Sequence, residues 1–115
     1  MASEGFHEST QDLTTETREM HRAIVSLKEE LEAIDWYQQR IDATTDDALR
    51  TILTHNRDEE KEHASMVLEW IRRHDPVFDA NLRKYLFTTV PITERAAEPE
   101  AQAEAQPAGG KRWNG

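Results

Sequence analysis

Cysteine is absent from this sequence. That excludes a disulfide framework and any thiolate-bound metal. Long apolar runs are missing too: MASEGFHESTQD at the start holds no signal-peptide core, and nothing later could span a bilayer. Positive charge is scarce. Lys and Arg total 14 against 23 Asp and Glu, a formal charge of −9, which argues against nucleic acid and anionic membrane as partners and draws cations to the surface. The expected location is cytoplasmic. Apolar residues make up only 37% of 115. So short and lean a chain buries a modest share of its surface alone, which favours oligomers.

What is present is helical periodicity. Gly and Pro are missing from Leu13 to Ile41, where Met20, Ile24, Leu27, Leu31, Ile34 and Ile41 recur at steps of three and four, skipping only Gln38. IDATTDDA reads as a loop whose Thr45 or Asp46 can cap the next helix. That helix spans about Asp47 to His74, with Leu49, Ile52, Leu53, Val67, Trp70 and Ile71 as its apolar stripe. Pro76 follows the end of it. FDANLRKYLF is expected to be a short third helix that stops before Pro91. No strand signal and no solenoid repeat are found. From Arg95 the composition is Ala, Glu, Gln, Pro and Gly, which cannot build a core. The expected division is a flexible N-terminus over 1–12, a helical domain over 13–94 and a disordered tail over 95–115.

The chemistry sits inside the second stripe. In HNRDEEKEH, residues 55–63, Glu60 and His63 fall with Leu49, Leu53, Asn56, Val67, Trp70 and Ile71 in an arc of roughly 100°. A carboxylate in mid-stripe must be paired, protonated or bound to a metal. On the first helix Glu30 lies beside Leu27, Ile34 and Tyr37 at the edge of the core face. A lone Glu-x-x-His is more often a solvated face or a local ion pair than a metal site. The mid-stripe position and the inward Glu30 reverse that preference.

Di-iron proteins of the ferritin-like bundles take one Glu from each of two helices and a Glu-x-x-His from each of two more. Two long helices supply half of this set. A two-fold homodimer would supply the rest, with Glu30, Glu60 and His63 of both copies meeting across the axis in a four-helix bundle. Oxygen and nitrogen donors without sulfur suit iron or manganese, and zinc or another divalent cation can compete. Tyr37, two turns beyond Glu30, is placed to hydrogen-bond a ligand carboxylate. A non-catalytic, metal-bridged oligomerisation module uses the same donors. An oxygen carrier of the haemerythrin type needs a His-rich site, but of His7, His21, His55, His63 and His74 only His63 is central. His55, Glu59 and Glu62 share another face, where an ordinary surface cluster is the simpler reading.

EELEAIDWYQQR (29–40), HNRDEEKEHASMVLEWIRR (55–73) and LRKYLFTTVPIT (82–93) resemble the encapsulated ferritins, over roughly residues 10–95. The resemblance implies an antiparallel hairpin plus a short third helix, dimers that recreate a ferritin fold, and ring-shaped homodecamers of five dimers. It implies ferroxidase activity, Fe(II) to Fe(III), with the mineral stored by an encapsulin shell, and so a place inside an encapsulin nanocompartment. It puts the di-iron ligands on Glu30, Glu60 and His63, the nearby tyrosine on Tyr37, and an accessory metal site on Glu29 and Glu32 with Trp36 close by. The tail departs from the family pattern. QPAGGKRWNG stands where members carry a Leu/Ile/Gly docking segment, and Trp113 is the one large apolar residue after Ile92.

Overall fold

The computed structural model describes residues 5–98, so the tail from residue 99 and Trp113 lie outside the described residues. Every regular element among them is helical: α1 (Thr15–Ala43), α2 (Asp47–His74), α3 (Pro76–Tyr85) and the single turn α4 (Ile92–Arg95), after a 3₁₀ turn at Thr10–Asp12. The chain forms two compact units, one reaching Glu69 and the other beginning at Trp70. No described helix is long and apolar enough to cross a membrane.

The first unit is built around the α1–α2 hairpin. Thr14 starts α1, its hydroxyl accepting the Thr17 N–H at 3.0 Å. Of the two cap candidates for α2, Asp46 takes the role, its Oδ1 accepting from Leu49 N at 3.0 Å. Each such cap stabilises its helix by about 1 kcal/mol. The turn between the helices is short because Arg50 reaches back over it. Its Nε donates to the Ile41 carbonyl at 3.2 Å, and its Nη groups bond Thr44 O and Asp47, so the exposed end of α1 keeps its acceptors satisfied.

Contacts farther out fix the direction of the pair. Gln38 meets Arg57 and Glu30 meets His63, so numbers rise on one helix as they fall on the other. The hairpin is antiparallel. Its apolar stripe is only partly covered within one chain: Ile41 and Ala64 are buried, while Ile24, Leu31, Leu49 and Ile52 remain exposed.

In the second unit, Asp75 caps α3 by accepting from Phe78 N at 2.9 Å, with Pro76 as the first helical residue. Pro76 therefore opens α3 as well as following α2, because its missing N–H is one the helix start would leave unpaired anyway. The third helix begins two residues before the expected Phe78 and ends at Tyr85. Leu86 is extended and Phe87 has φ 60°, a left-handed conformation that no helix continues through. Ile71 and Ala80 are buried here. So is Asp79, which is held by Arg72 and by both oxygens' contacts with Arg83 Nε at 3.0 and 3.1 Å. Lys84 Nζ donates to Ala96 O at 3.2 Å and Arg95 Nε to Lys84 O at 2.6 Å, which fastens α4 along α3.

Candidate metal centre

Three side chains that are far apart in sequence converge on the hairpin. Glu60 and His63 leave α2 one turn apart on the same side, as a three-residue step requires. Glu30 arrives from α1. One donor atom from each of the three lies within 4.8 Å of the other two. This is the one such group of three or more His, Asp or Glu donors among the described residues.

The imidazole is the hinge of the group. His63 Nδ1 stands 3.0 Å from Glu60 Oε1 and 3.4 Å from Glu30 Oε2. One N–H cannot serve two carboxylates well, and Glu60 is the hydrogen-bonded partner. Glu30 Oε2 is left buried with no hydrogen bond. A carboxylate oxygen that lacks a hydrogen bond away from water is costly, and a proton or a bound cation removes the cost. The donor set, two carboxylates and one imidazole, suits iron, manganese or zinc. The residues present therefore fit a metal.

Electrostatics agrees with the geometry. Burial, and after it the neighbouring Glu60 carboxylate, raises the Glu30 pKa above its ordinary value, with His63 pulling the other way. The centre is also open on one side: the Glu30 and Glu60 side chains are 24% and 23% exposed, and that of His63 is 46% exposed. Glu60 and His63 are thus less enclosed in the single chain than a mid-stripe position predicts. Ile24, Leu31, Leu49 and Ile52 on the same two helices are exposed as well, so the stripe around the group is uncovered in the single chain.

Other sequence candidates lie outside this cluster. The Tyr37 ring lies under the Arg40 guanidinium, 5.5 Å from it, and among the described residues it makes no hydrogen bond to Glu30, Glu60 or His63. Glu29 and Trp36 are exposed and Glu32 is half-buried. None of these joins the three-donor group. His55 pairs with Glu59 at 3.4 Å on open surface, with Glu62 exposed nearby in sequence. One polar chain beside the site escaped the sequence reading. Asp42, Gln38, Arg57 and Asp58 are joined in series, and the visible sign of it was Gln38 breaking the α1 stripe.

Comparison with known proteins identifies the family. The EncFtn-like family model matches residues 5–89, and the chain belongs to that family. An encapsulated ferritin-like protein of Rhodospirillum rubrum is 60% identical over 92 residues, 80% of this chain; the chain spans 66% of that relative's length. A ferritin-like protein of Thermotoga maritima is 52% identical, over 86% of this chain and 87% of its own. An encapsulin nanocompartment cargo protein of Myxococcus xanthus is 36% identical, over 89% and 82%. Among solved structures, a Nitrosomonas europaea protein superposes with a TM-score of 0.74 at 65% identity, covering 76% of this chain and 97% of that one.

Proposed function

We propose that the protein is a ferroxidase that takes Fe(II) as substrate at a di-iron site shared by two copies across a two-fold axis. The convergence of Glu30, Glu60 and His63, with a buried Glu30 oxygen that nothing satisfies, carries this reading. One hairpin offers a single carboxylate and a single Glu-x-x-His, half the donor set of a ferritin-like di-iron bundle. A second copy laid on the exposed stripe would complete both the donors and the core. The family supports rings of such dimers, five to a ring. The names of the Rhodospirillum and Myxococcus relatives support an encapsulin shell as partner and the interior of a nanocompartment as location.

In this reading each residue has a separate task. The two Glu60 carboxylates would lie between the cations and screen their repulsion. Glu30 and His63 of each copy would together cap one ion and leave a coordination position for the oxidant. Each Fe(II) would give up one electron, and the oxidant, dioxygen or peroxide, would take up the two electrons with two protons. Tyr37 acts beside the ligands rather than as one. Glu29 and Glu32, with Trp36, form an accessory cation site on the approach.

Stopped-flow absorbance after Fe(II) meets oxygen tests the assignment. Rapid oxidation is expected in the parent and lost in Glu60→Ala and His63→Ala. Equal rates in Glu60→Ala and parent would overturn it. Fe(II) added anaerobically, then air, separates the reading from a non-catalytic metal-bridged module: turnover beyond the bound stoichiometry belongs to an enzyme, inert binding to a bridge.

A further inference from the structure

Beside the donors lies a set of polar side chains that the metal chemistry leaves unused. Arg57 is one turn before Glu60 on α2. Its side chain is only 19% exposed, low for a guanidinium on a hairpin. Nη1 donates to Gln38 Oε1 at 2.6 Å, across to α1. Nε and Nη2 both bind Asp58 Oδ1, at 3.0 and 2.9 Å. Gln38 in turn donates from Nε2 to Asp42 Oδ1 at 3.0 Å. Every member has a partner, and Gln38, whose amide is held at both ends, can sit in only one orientation.

This chain of contacts crosses between the helices at one level only. We infer that Arg57 and Gln38 form a register pin that positions Glu30 opposite Glu60 and His63, with Asp58 neutralising the guanidinium so that it does not repel the incoming cation. The inference rests on reading the cluster as a metal site. Its physical basis is helical geometry. A slip of one residue moves a side chain about 1.5 Å along the axis and turns it about 100°, enough to take Glu30 out of reach of Nδ1. The Arg50 staple at the turn ties down the nearer end, but Glu30 is eleven residues from Ile41, roughly 16 Å farther along α1. An apolar residue in place of Gln38 would continue the stripe and slide; a held amide would not. The charge is handled in the same unit. A bare guanidinium one turn from the donors would oppose a divalent ion, and the fork of Arg57 on Asp58 cancels it.

Cobalt(II) titration, followed by visible ligand-field absorption, tests the pin without relying on turnover. Parent chain should bind cobalt and Glu60→Ala should not. Arg57→Met and Gln38→Leu should each bind about ten- to a hundredfold more weakly, the usual loss when a residue that orients a ligand is removed, and with an altered spectrum. The double variant should be no worse than the weaker single one, since both break one contact. Gln38→Glu keeps the acceptor for Arg57 and loses only the donor to Asp42, so it should bind more tightly than Gln38→Leu, and it serves if Arg57→Met fails to fold. Asp58→Asn should weaken binding at low salt and recover at high salt, as an unmasked charge does. Parent-like affinity and spectrum in Arg57→Met and Gln38→Leu, or fully additive losses, overturn the pin. The His63 ring resonances of the metal-free protein separate the two ideas. If the parent binds no cobalt yet those resonances shift in Gln38→Leu, the metal reading fails and the pin stands.

Discussion

Two acidic residues show opposite solutions to the same problem. Asp79, in the second unit, is 3% exposed and sits between Arg72 and Arg83. Glu30, in the first, is less buried, yet one of its oxygens has no hydrogen bond, and its nearest groups are another carboxylate and an imidazole. Asp79 is satisfied by the chain itself, and so it is structural. Glu30 keeps one oxygen without a hydrogen bond from the chain. A buried carboxylate with cationic partners fastens a fold; one that faces another carboxylate is an invitation to a cation.

The contrast can be broken from either side. Asp79→Ala should have the largest effect on stability, about 3–5 kcal/mol, because it removes the buried carboxylate that Arg72 and Arg83 both hold. Denaturant unfolding reads that loss, and the metal-free difference should persist when cobalt is present. A cost under about 1 kcal/mol would place Asp79 with ordinary surface pairs. Glu30→Gln should act in the reverse sense. Since the folded chain keeps the Glu30 proton to higher pH than the unfolded chain, the native state binds more protons above the ordinary value of 4.5. Metal-free parent should therefore lose stability as pH rises through that interval up to the raised pKa. The glutamine variant should lack this fall, be the more stable of the two above it, and gain less from added metal. Melting in chelator across that range checks the sign, and a parent curve that rises there contradicts it. Tyr37→Phe should have the smallest effect, a changed oxidation rate with metal stoichiometry intact, seen by stopped flow beside a binding titration. Loss of bound metal would make Tyr37 a ligand instead.

How much of this was visible beforehand differs between the two regions. Periodicity at three and four placed α1 and α2 almost to the residue, because a single apolar stripe on a long helix is a redundant signal. The cluster was legible for the same reason: Glu60 and His63 stood where Leu or Val belongs. The second unit was less so. Its third helix is short, so boundaries rest on single residues, and Pro76 served two roles where one was expected. Asp79 and Arg83 stand four apart, a spacing that fits a helical ion pair, but Arg72 joins them across a turn that no periodicity describes. The α4 turn has four residues and no side-chain cap, too little for any pattern to register. Tyr37 shows the limit from the other direction. Helical position put it near Glu30 in angle, and the Arg40 guanidinium is what its ring meets in the single chain.

The antiparallel hairpin also has a history in time. Its bonds widen outward from the turn: Ile41 with Arg50 closes a loop of nine residues, Gln38 with Arg57 one of nineteen, and Glu30 with His63 spans the most chain of the three. Short closures are entropically the easiest, and local contacts form quickly. The hairpin is thus expected to zip from its tip, and the oxygen and nitrogen donors meet last. The frame of the hairpin would be set before Glu30, Glu60 and His63 come within reach of one another.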